Sequence, residues 1–275
     1  MLLKFSVHAK NNQLKSTTMK TNSLGFIGGG RITKIILQAF TNKLQKFEKV
    51  VVFDTNVEVL NALKHQFPEI VLAEKVDQSA QQSTVFISLH PPMIMETLDK
   101  IADVVASDTL VVSLAPKITI EKIASKLKTR NIARMIPNAT SYINEGYNPV
   151  TFTPSFNQSD KTSVLEMLKL LGNTFEVDEQ KLEAYAILSA MLPTYFWFQW
   201  NELIKLGDPM GLTEEESKAS VQHTLQAALN LMFESGLSPE QVMDLIPVKP
   251  IGETETQITE IYQTKLMGLY AKIKP

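Results

Sequence analysis

An α/β fold with a parallel sheet, followed by an all-helical region, is predicted from three features of this chain. Short apolar or β-branched runs alternate with segments of helical spacing from residue 23 to about residue 177. A glycine cluster stands at the first turn from strand to helix. Beyond about residue 180 the strands stop and every segment has helical periodicity. Alternation of this kind gives a sheet covered by helices on both faces.

The elements follow in order. Ser23–Ile27 reads as the first strand and Ile32–Phe40 as its helix, with Ile32, Ile35, Ile36, Ala39 and Phe40 on one face. Val50–Phe53 is a continuous β-branched run, as a strand buried on both faces requires, and ends at Asp54. Val57–Gln66 is a helix, Val71–Leu72 a short strand and Asp77–Gln82 a brief helix. Thr84–Leu89 is a strand that ends at His90-Pro91-Pro92, and Met93–Val105 a helix. Thr109–Leu114 is a strand, and Thr119 caps a helix to Leu127. Ile132–Ile136 is a strand that ends at Pro137-Asn138, and Pro149–Pro154 another. A helix over Asp160–Leu171 and a strand over Thr174–Val177 close the mixed part. Four helical segments remain: Leu182–Leu206, Thr213–Glu234, Pro239–Leu245 and Thr254–Ile273. Glu214, Glu215 and Glu216 stand in a first turn, where the helix dipole favours acids. The expected division is a flexible tail over 1–22, an α/β domain over 23–178 and a helical domain over 179–275.

Composition excludes several classes. A net charge of −2 gives no general attraction to nucleic acid. The chain has no cysteine, so disulfides, thiolate metal sites and cysteine nucleophiles are all out, and a reducing cytoplasm is compatible. No apolar run is long enough to span a membrane. Residues 1–23 carry four lysines and no acid but lack the apolar centre of a secretory signal. They read as a flexible tail, or as an upstream start with Met19 the natural first residue; an organellar transit peptide is the alternative, though it would want arginine, which the segment lacks. No His/Asp/Glu spacing suggests a metal. His65 and His223 fall on helices with no partner in view, and Lys117 faces the strand-end crevice by position but reads by default as a solvated lysine after a strand.

Gly28-Gly29-Gly30-Arg31-Ile32-Thr33 fits G-x-G-x-x-[G/A], with Thr33 at the last place. Gly28 permits the tight turn, and Gly30 lets backbone approach a diphosphate. The helix start at Arg31 and Ile32 supplies unpaired N–H donors and the positive end of a dipole. Because the cluster follows a strand and opens a helix, it predicts a Rossmann-type dinucleotide site that includes Gly29. Arg31 either meets the diphosphate or is a solvated charge. Asp54 lies 24 residues beyond Gly30 at the end of the second strand. There it would accept hydrogen bonds from ribose hydroxyls, which favours NAD(H) over NADP(H), or it merely caps the helix that begins near Asn56.

The order of further segments resembles the pyrroline-5-carboxylate reductase family over residues 24 to about 270. Leu24–Gly30 is similar to that family's IGFIGxGNM, Phe86–Pro91 to FLAVKP with His90 in the lysine place, and Val111–Ala115 to VVSIAAG. Arg134–Thr140 is similar to RVMPNTP, with Glu145-Gly146 following at the right distance. Leu188-Ser189 and Pro193-Thr194-Tyr195 lie where the family has ALSGSGPAY, and Glu234-Ser235-Gly236 matches ESG. Two segments depart. GSG is replaced by Ala190-Met191-Leu192, and the SPGGTT substrate loop by Lys249-Pro250-Ile251-Gly252-Glu253-Thr254.

The resemblance implies an NAD(P)H-dependent oxidoreductase that reduces a C=N bond of an imino acid, as in proline biosynthesis. It implies that His90, Pro91 and Ala115 contact the cofactor by their backbones and that Asn138 orients cofactor or substrate. Ser189, Lys249 and Gly252 would bind substrate, and Thr254 would hold the imine nitrogen. Lys249 would meet a carboxylate as a direct charge, while Glu253 would repel one. His90 is either positional or a proton donor near neutral pH. Tyr195–Trp200 puts aromatic residues on every face of a helix, which must then be buried nearly all round. The resemblance places that helix in an interwoven homodimer core; an aromatic substrate pocket is the alternative. Two other functions stay open: a non-catalytic dinucleotide-binding dimeric regulator, and a 3-hydroxyacid dehydrogenase. The second wants a lysine four residues before its asparagine, and Trp197 stands there before Asn201.

Overall fold

The computed structural model describes residues 23–275, so the tail expected over 1–22 lies outside it. One eight-stranded sheet organises the first part of the chain. Strand β1 (Ser23–Ile27) leads through helix α1 (Arg31–Asn42) to β2 (Lys49–Phe53), then α2 (Val57–Gln66), β3 (Val71–Leu72), α3 (Val76–Ala80) and β4 (Thr84–Ile87). Helix α4 (Pro91–Ile101), β5 (Leu110–Ser113), α5 (Ile120–Ala124) and β6 (Ile132–Met135) follow. The chain then turns into β7 (Gly146–Phe152), α6 (Gln158–Lys169) and β8 (Gly172–Glu176). The strand order is β3-β2-β1-β4-β5-β6-β7-β8.

Alternate residues of each strand enter opposite layers, because successive side chains point to opposite faces. Leu24, Phe26 and Phe86 join one core with Ile36 and Phe40 of α1. Ile27, Val85 and Ile87 join the other with Ile94 and Leu98 of α4. Phe26 and Phe86 stack with ring centroids 4.8 Å apart, which locks β1 beside β4 at the place where the strand order reverses.

The sheet is not parallel throughout. β6 and β7 pair antiparallel, with Ala133 opposite Phe152. The connection over residues 136–145 holds only a 3-10 turn, Ala139–Ile143. A parallel crossover needs about a dozen residues or more, so the chain can only double back. Helix α6 then restores a crossover, and β8 runs parallel to β7. β7 also begins three residues before the expected Pro149. Its first residues, Gly146-Tyr147-Asn148, carry no apolar run, and the buried Asn148 side chain instead accepts hydrogen bonds from the Asn138 N–H and the Ser141 hydroxyl.

Beyond β8 only helices occur. The single helix expected over Leu182–Leu206 is broken into α7 (Leu182–Tyr185), a π-helical turn (Ala186–Ala190) and α8 (Leu192–Lys205). Pro193 is the cause: it has no N–H to donate to the Ser189 carbonyl, and its ring would clash there. Met191 N–H instead reaches five residues back to Ala186 O at 3.0 Å. Helix α9 (Glu214–Glu234) starts in a capping box between Thr213 and Glu216, followed by α10 (Pro239–Asp244) and α11 (Glu255–Ile273).

Leu182 and Ala186 pack on Ile136, and Ile273 at the end of α11 closes that small junction core. Otherwise the helical part builds little core of its own. No residue of α8, α10 or α11 is buried, and only Ser217 is buried in α9. The aromatic helix expected to be covered nearly all round therefore leaves Phe198 67% exposed within one chain. A helix lying mainly against one neighbour cannot bury aromatic residues on several faces.

Candidate functional site

The glycine turn closes on itself and on the sheet. Gly28 sits at φ +105°, and a Cβ there would lie 2.5 Å from the Ser88 carbonyl oxygen, so both conformation and space demand glycine. Its N–H donates to Phe53 O at 2.8 Å. Thr33, where a smaller residue is usual, is buried and donates its hydroxyl to Gly28 O at 2.6 Å, tying the turn to α1.

Asp54 braces the same turn from the end of β2. One carboxylate oxygen accepts the Gly29 N–H at 2.7 Å, and the other accepts the Asn56 N–H at 2.9 Å. It does not cap α2: Asn56 does that, accepting from Glu58 and Val59 N–H. The acid thus fixes the shape of the loop whether or not a ribose also reaches it.

A cleft of about 800 Å³ opens across the carboxyl ends of the strands. Gly29, Gly30, Arg31 and Ile32 form its floor at the start of α1, and His90, Pro91 and Ala115 lie across from them. The geometry suits the diphosphate of a dinucleotide. No side chain caps α1, and its first turn has no acid. A Cβ on Gly30 would meet nothing within 4 Å among the described residues, so the turn is open on that side. Such a helix start presents free N–H groups and a positive dipole end. Arg31 and Lys34 are exposed on the cleft wall, and neither makes an ion pair among the described residues. His90 is the N-cap residue of α4, without a side-chain capping bond, and Pro91 takes the first helical position.

The remaining expected residues fall elsewhere. Asn138 and Ser189 are bonded to each other: Asn138 Nδ2 donates to Ser189 O at 3.2 Å and to Ser189 Oγ at 3.1 Å. Asn138 Oδ1 accepts from the N–H and hydroxyl of Thr140, so the side chain caps the 3-10 turn. Pro137, one residue earlier, is what lines the cleft. Lys249, Gly252 and Thr254 do come together, in an exposed turn before α11. Gly252 N–H donates to Lys249 O at 3.0 Å, and the Thr254 hydroxyl to Ile251 O at 2.7 Å. None of the three lines the cleft of its own chain.

Several wall residues were not singled out from sequence. Ser88 and Leu114 follow strand ends and were findable from the rule that the crevice lies there, the rule by which Pro116 and Pro137 are expected at the cleft they line. Val59, Ala62 and Gln66 were not, because their place depends on how α2 docks beside α1; Gln66 donates to Gln38 of α1 at 3.1 Å.

Residues 23–117 match a family model described as NADP oxidoreductase coenzyme F420-dependent. A pyrroline-5-carboxylate reductase of Corynebacterium melassecola is 21% identical over 252 residues, covering 90% of this chain and 93% of that protein. The chain is related to the pyrroline-5-carboxylate reductases. The Plasmodium falciparum pyrroline carboxylate reductase, solved with NADP bound, shares the fold at a TM-score of 0.70 and 20% identity, over 93% of this chain and 95% of that one. The reductase of Coxiella burnetii does so at 0.65 and 23%, over 92% and 94%. The relatives thus span both the sheet and the helices, whereas the family model stops at Lys117. No helix among the described residues is long and apolar enough to cross a membrane.

Proposed function

We propose that this protein is an NAD(P)H-dependent oxidoreductase that reduces the C=N bond of pyrroline-5-carboxylate or a close imino acid. The observation that carries the reading is the glycine turn, open at Gly30 and braced by Asp54, at one end of a cleft across the strand ends. Gly29, Gly30, Arg31 and Ile32 would hold the diphosphate, with Gly28 shaping the turn. His90, Pro91 and Ala115 would flank the other half of the dinucleotide. When bound, the reduced nicotinamide supplies the hydride. The protein's part is to position the acceptor carbon and shield it from water. Asp54 favours NAD(H), since an acid at this place disfavours a 2′-phosphate.

The helical region supports a homodimer and an imino-acid site shared between two copies. Phe198, Phe233 and Met267 are exposed large apolar side chains on α8, α9 and α11. Faces of this kind mark protein–protein contact. Pairing two copies through them would also offer the turn with Lys249, Gly252 and Thr254, which does not line its own cleft, to the cleft of the other chain. Lys249 would then attract the carboxylate, and the Thr254 hydroxyl would hold the imine nitrogen. A protonated imine is already electrophilic, so no strong acid is needed from the protein.

The deciding experiment is oxidation of NADH and NADPH by the purified chain with pyrroline-5-carboxylate as acceptor. Turnover is expected, faster with NADH. Cofactor binding without turnover on this and other cyclic imines would overturn the enzymatic reading.

A further inference from the structure

A charged cluster lies buried where the sheet meets the helices. Arg134 on β6 and Glu183 on α7 each have side chains 1% exposed, and they pair at 2.6 Å through Nη2 and Oε1. Arg134 Nη1 reaches Glu179 Oε1 at 2.7 Å. The carboxylates also accept backbone donors from the segment after β5. Glu183 Oε1 takes the Lys117 N–H at 3.0 Å, and Glu179 Oε1 the Ile120 N–H at 2.7 Å. Arg134 Nε and Glu183 Oε2 find no partner among the described residues.

Such a cluster is a poor way to gain stability. Desolvating the charges offsets most of their attraction, and well-packed apolar residues often do as well. What the cluster does accomplish is visible at Lys117, which sits at φ +72°. The left-handed region is disfavoured for a residue with a Cβ, and it persists only where surroundings enforce it. Here the enforcing contact is Glu183. Ala115 and Pro116, the two residues before Lys117, are part of the cleft wall. A chain of contacts therefore runs from the helical region through Glu183 and the Lys117 backbone to the wall facing the glycine turn.

We propose that Glu183, held by Arg134, is a positioning residue that sets the Ala115–Lys117 segment for dinucleotide binding. It touches no reacting atom. The inference rests on the dinucleotide reading of the cleft, not on the identity of the imine.

The test uses the full chain and reads NADH and NADPH dissociation constants from cofactor fluorescence, with unfolding midpoints alongside. Glu183→Gln is expected to weaken cofactor binding by about tenfold or more, since small misplacements at a site are costly. Adding Lys117→Gly to Glu183→Gln is expected to restore most of that affinity, because glycine holds a positive φ without the clamp. A purely structural role for Glu183 would lower the midpoint and would not be rescued at Lys117. Should Glu183→Gln fail to fold, Lys117→Val strains the same backbone without touching the buried charges and is expected to weaken binding likewise. Unchanged affinity in Glu183→Gln, absent rescue by glycine, or unchanged affinity in Lys117→Val would each overturn the proposal. A wild-type chain that binds dinucleotide but reduces no imine would sink only the proposed reaction. One that binds neither cofactor would sink both.

Discussion

Asn138 and Ser189 join the two halves of the chain through a carbonyl that a proline left free. Pro193 cannot donate to Ser189 O, and Asn138 Nδ2 takes its place at 3.2 Å. Ser189 Oγ bonds the same amide and also donates to Tyr147 O at 3.1 Å. A break in a helix has thereby become a fastening between β6, β7 and the helical region. Asn138→Ala removes both bonds and the cap on the 3-10 turn. It is expected to lower the unfolding free energy by about 1–3 kcal/mol, read by urea denaturation. An unaltered midpoint would show that the fastening contributes nothing.

The glycine turn allows stability and binding to be separated. A methyl group in Gly30→Ala meets nothing within 4 Å among the described residues, so the melting temperature should stay within about a degree or two of wild type, while the methyl group obstructs a diphosphate. Dinucleotide affinity is expected to fall by about tenfold or more. Gly28→Ala should lose stability as well, given its positive φ and the nearby Ser88 carbonyl. Equal affinity in Gly30→Ala and wild type would remove the diphosphate from this turn.

Asp54 is predicted to serve twice, as brace and as cofactor selector. Asp54→Ser should weaken NADH more than NADPH and reverse their order, measured as kcat/KM for each. Because Asp54 also holds the Gly29 N–H, affinity for both should drop somewhat. An unchanged NADH:NADPH ratio would leave the residue only its structural task.

Lys249→Ala is expected to raise KM for the imino acid by about tenfold while leaving the cofactor KM alone, the loss of one charge-assisted contact. Thr254→Val should lower kcat. Parallel changes in the cofactor KM would contradict the assignment of this turn to the substrate.

The uncovered helices carry a prediction about assembly. Phe198→Glu together with Phe233→Glu should convert a dimer to a monomer in light scattering. The monomer should still bind dinucleotide but lose turnover, since each cleft would then lack the turn of the other chain. A monomeric wild type, or a monomer with full turnover, would overturn the shared site.

Much of the fold was legible in residues 23–177, because strand and helix periods are local and the glycine turn has chemistry of its own. The elements around Gly28–Thr33, Val50–Asp54 and Thr84–Pro91 lie close to where their patterns put them. The antiparallel β7 was not legible, since its direction depends on how few residues separate Met135 from Gly146 and not on any residue's character. Nor was the break at Ser189: Pro193 is plain in the sequence, yet the π turn it forces depends on what receives the freed carbonyl.

The sequence by itself determined where the glycine turn lies, between a strand and a helix, and that an acid ends the second strand, since strand and helix periods are local. Only the tertiary structure decided what each polar side chain does within that frame. Asp54 holds the loop, Asn138 holds Ser189, and Arg134 with Glu183 holds Lys117. The reason is physical: a buried polar atom must find a partner, and for Arg134 and Asn138 that partner lies about fifty residues away along the chain.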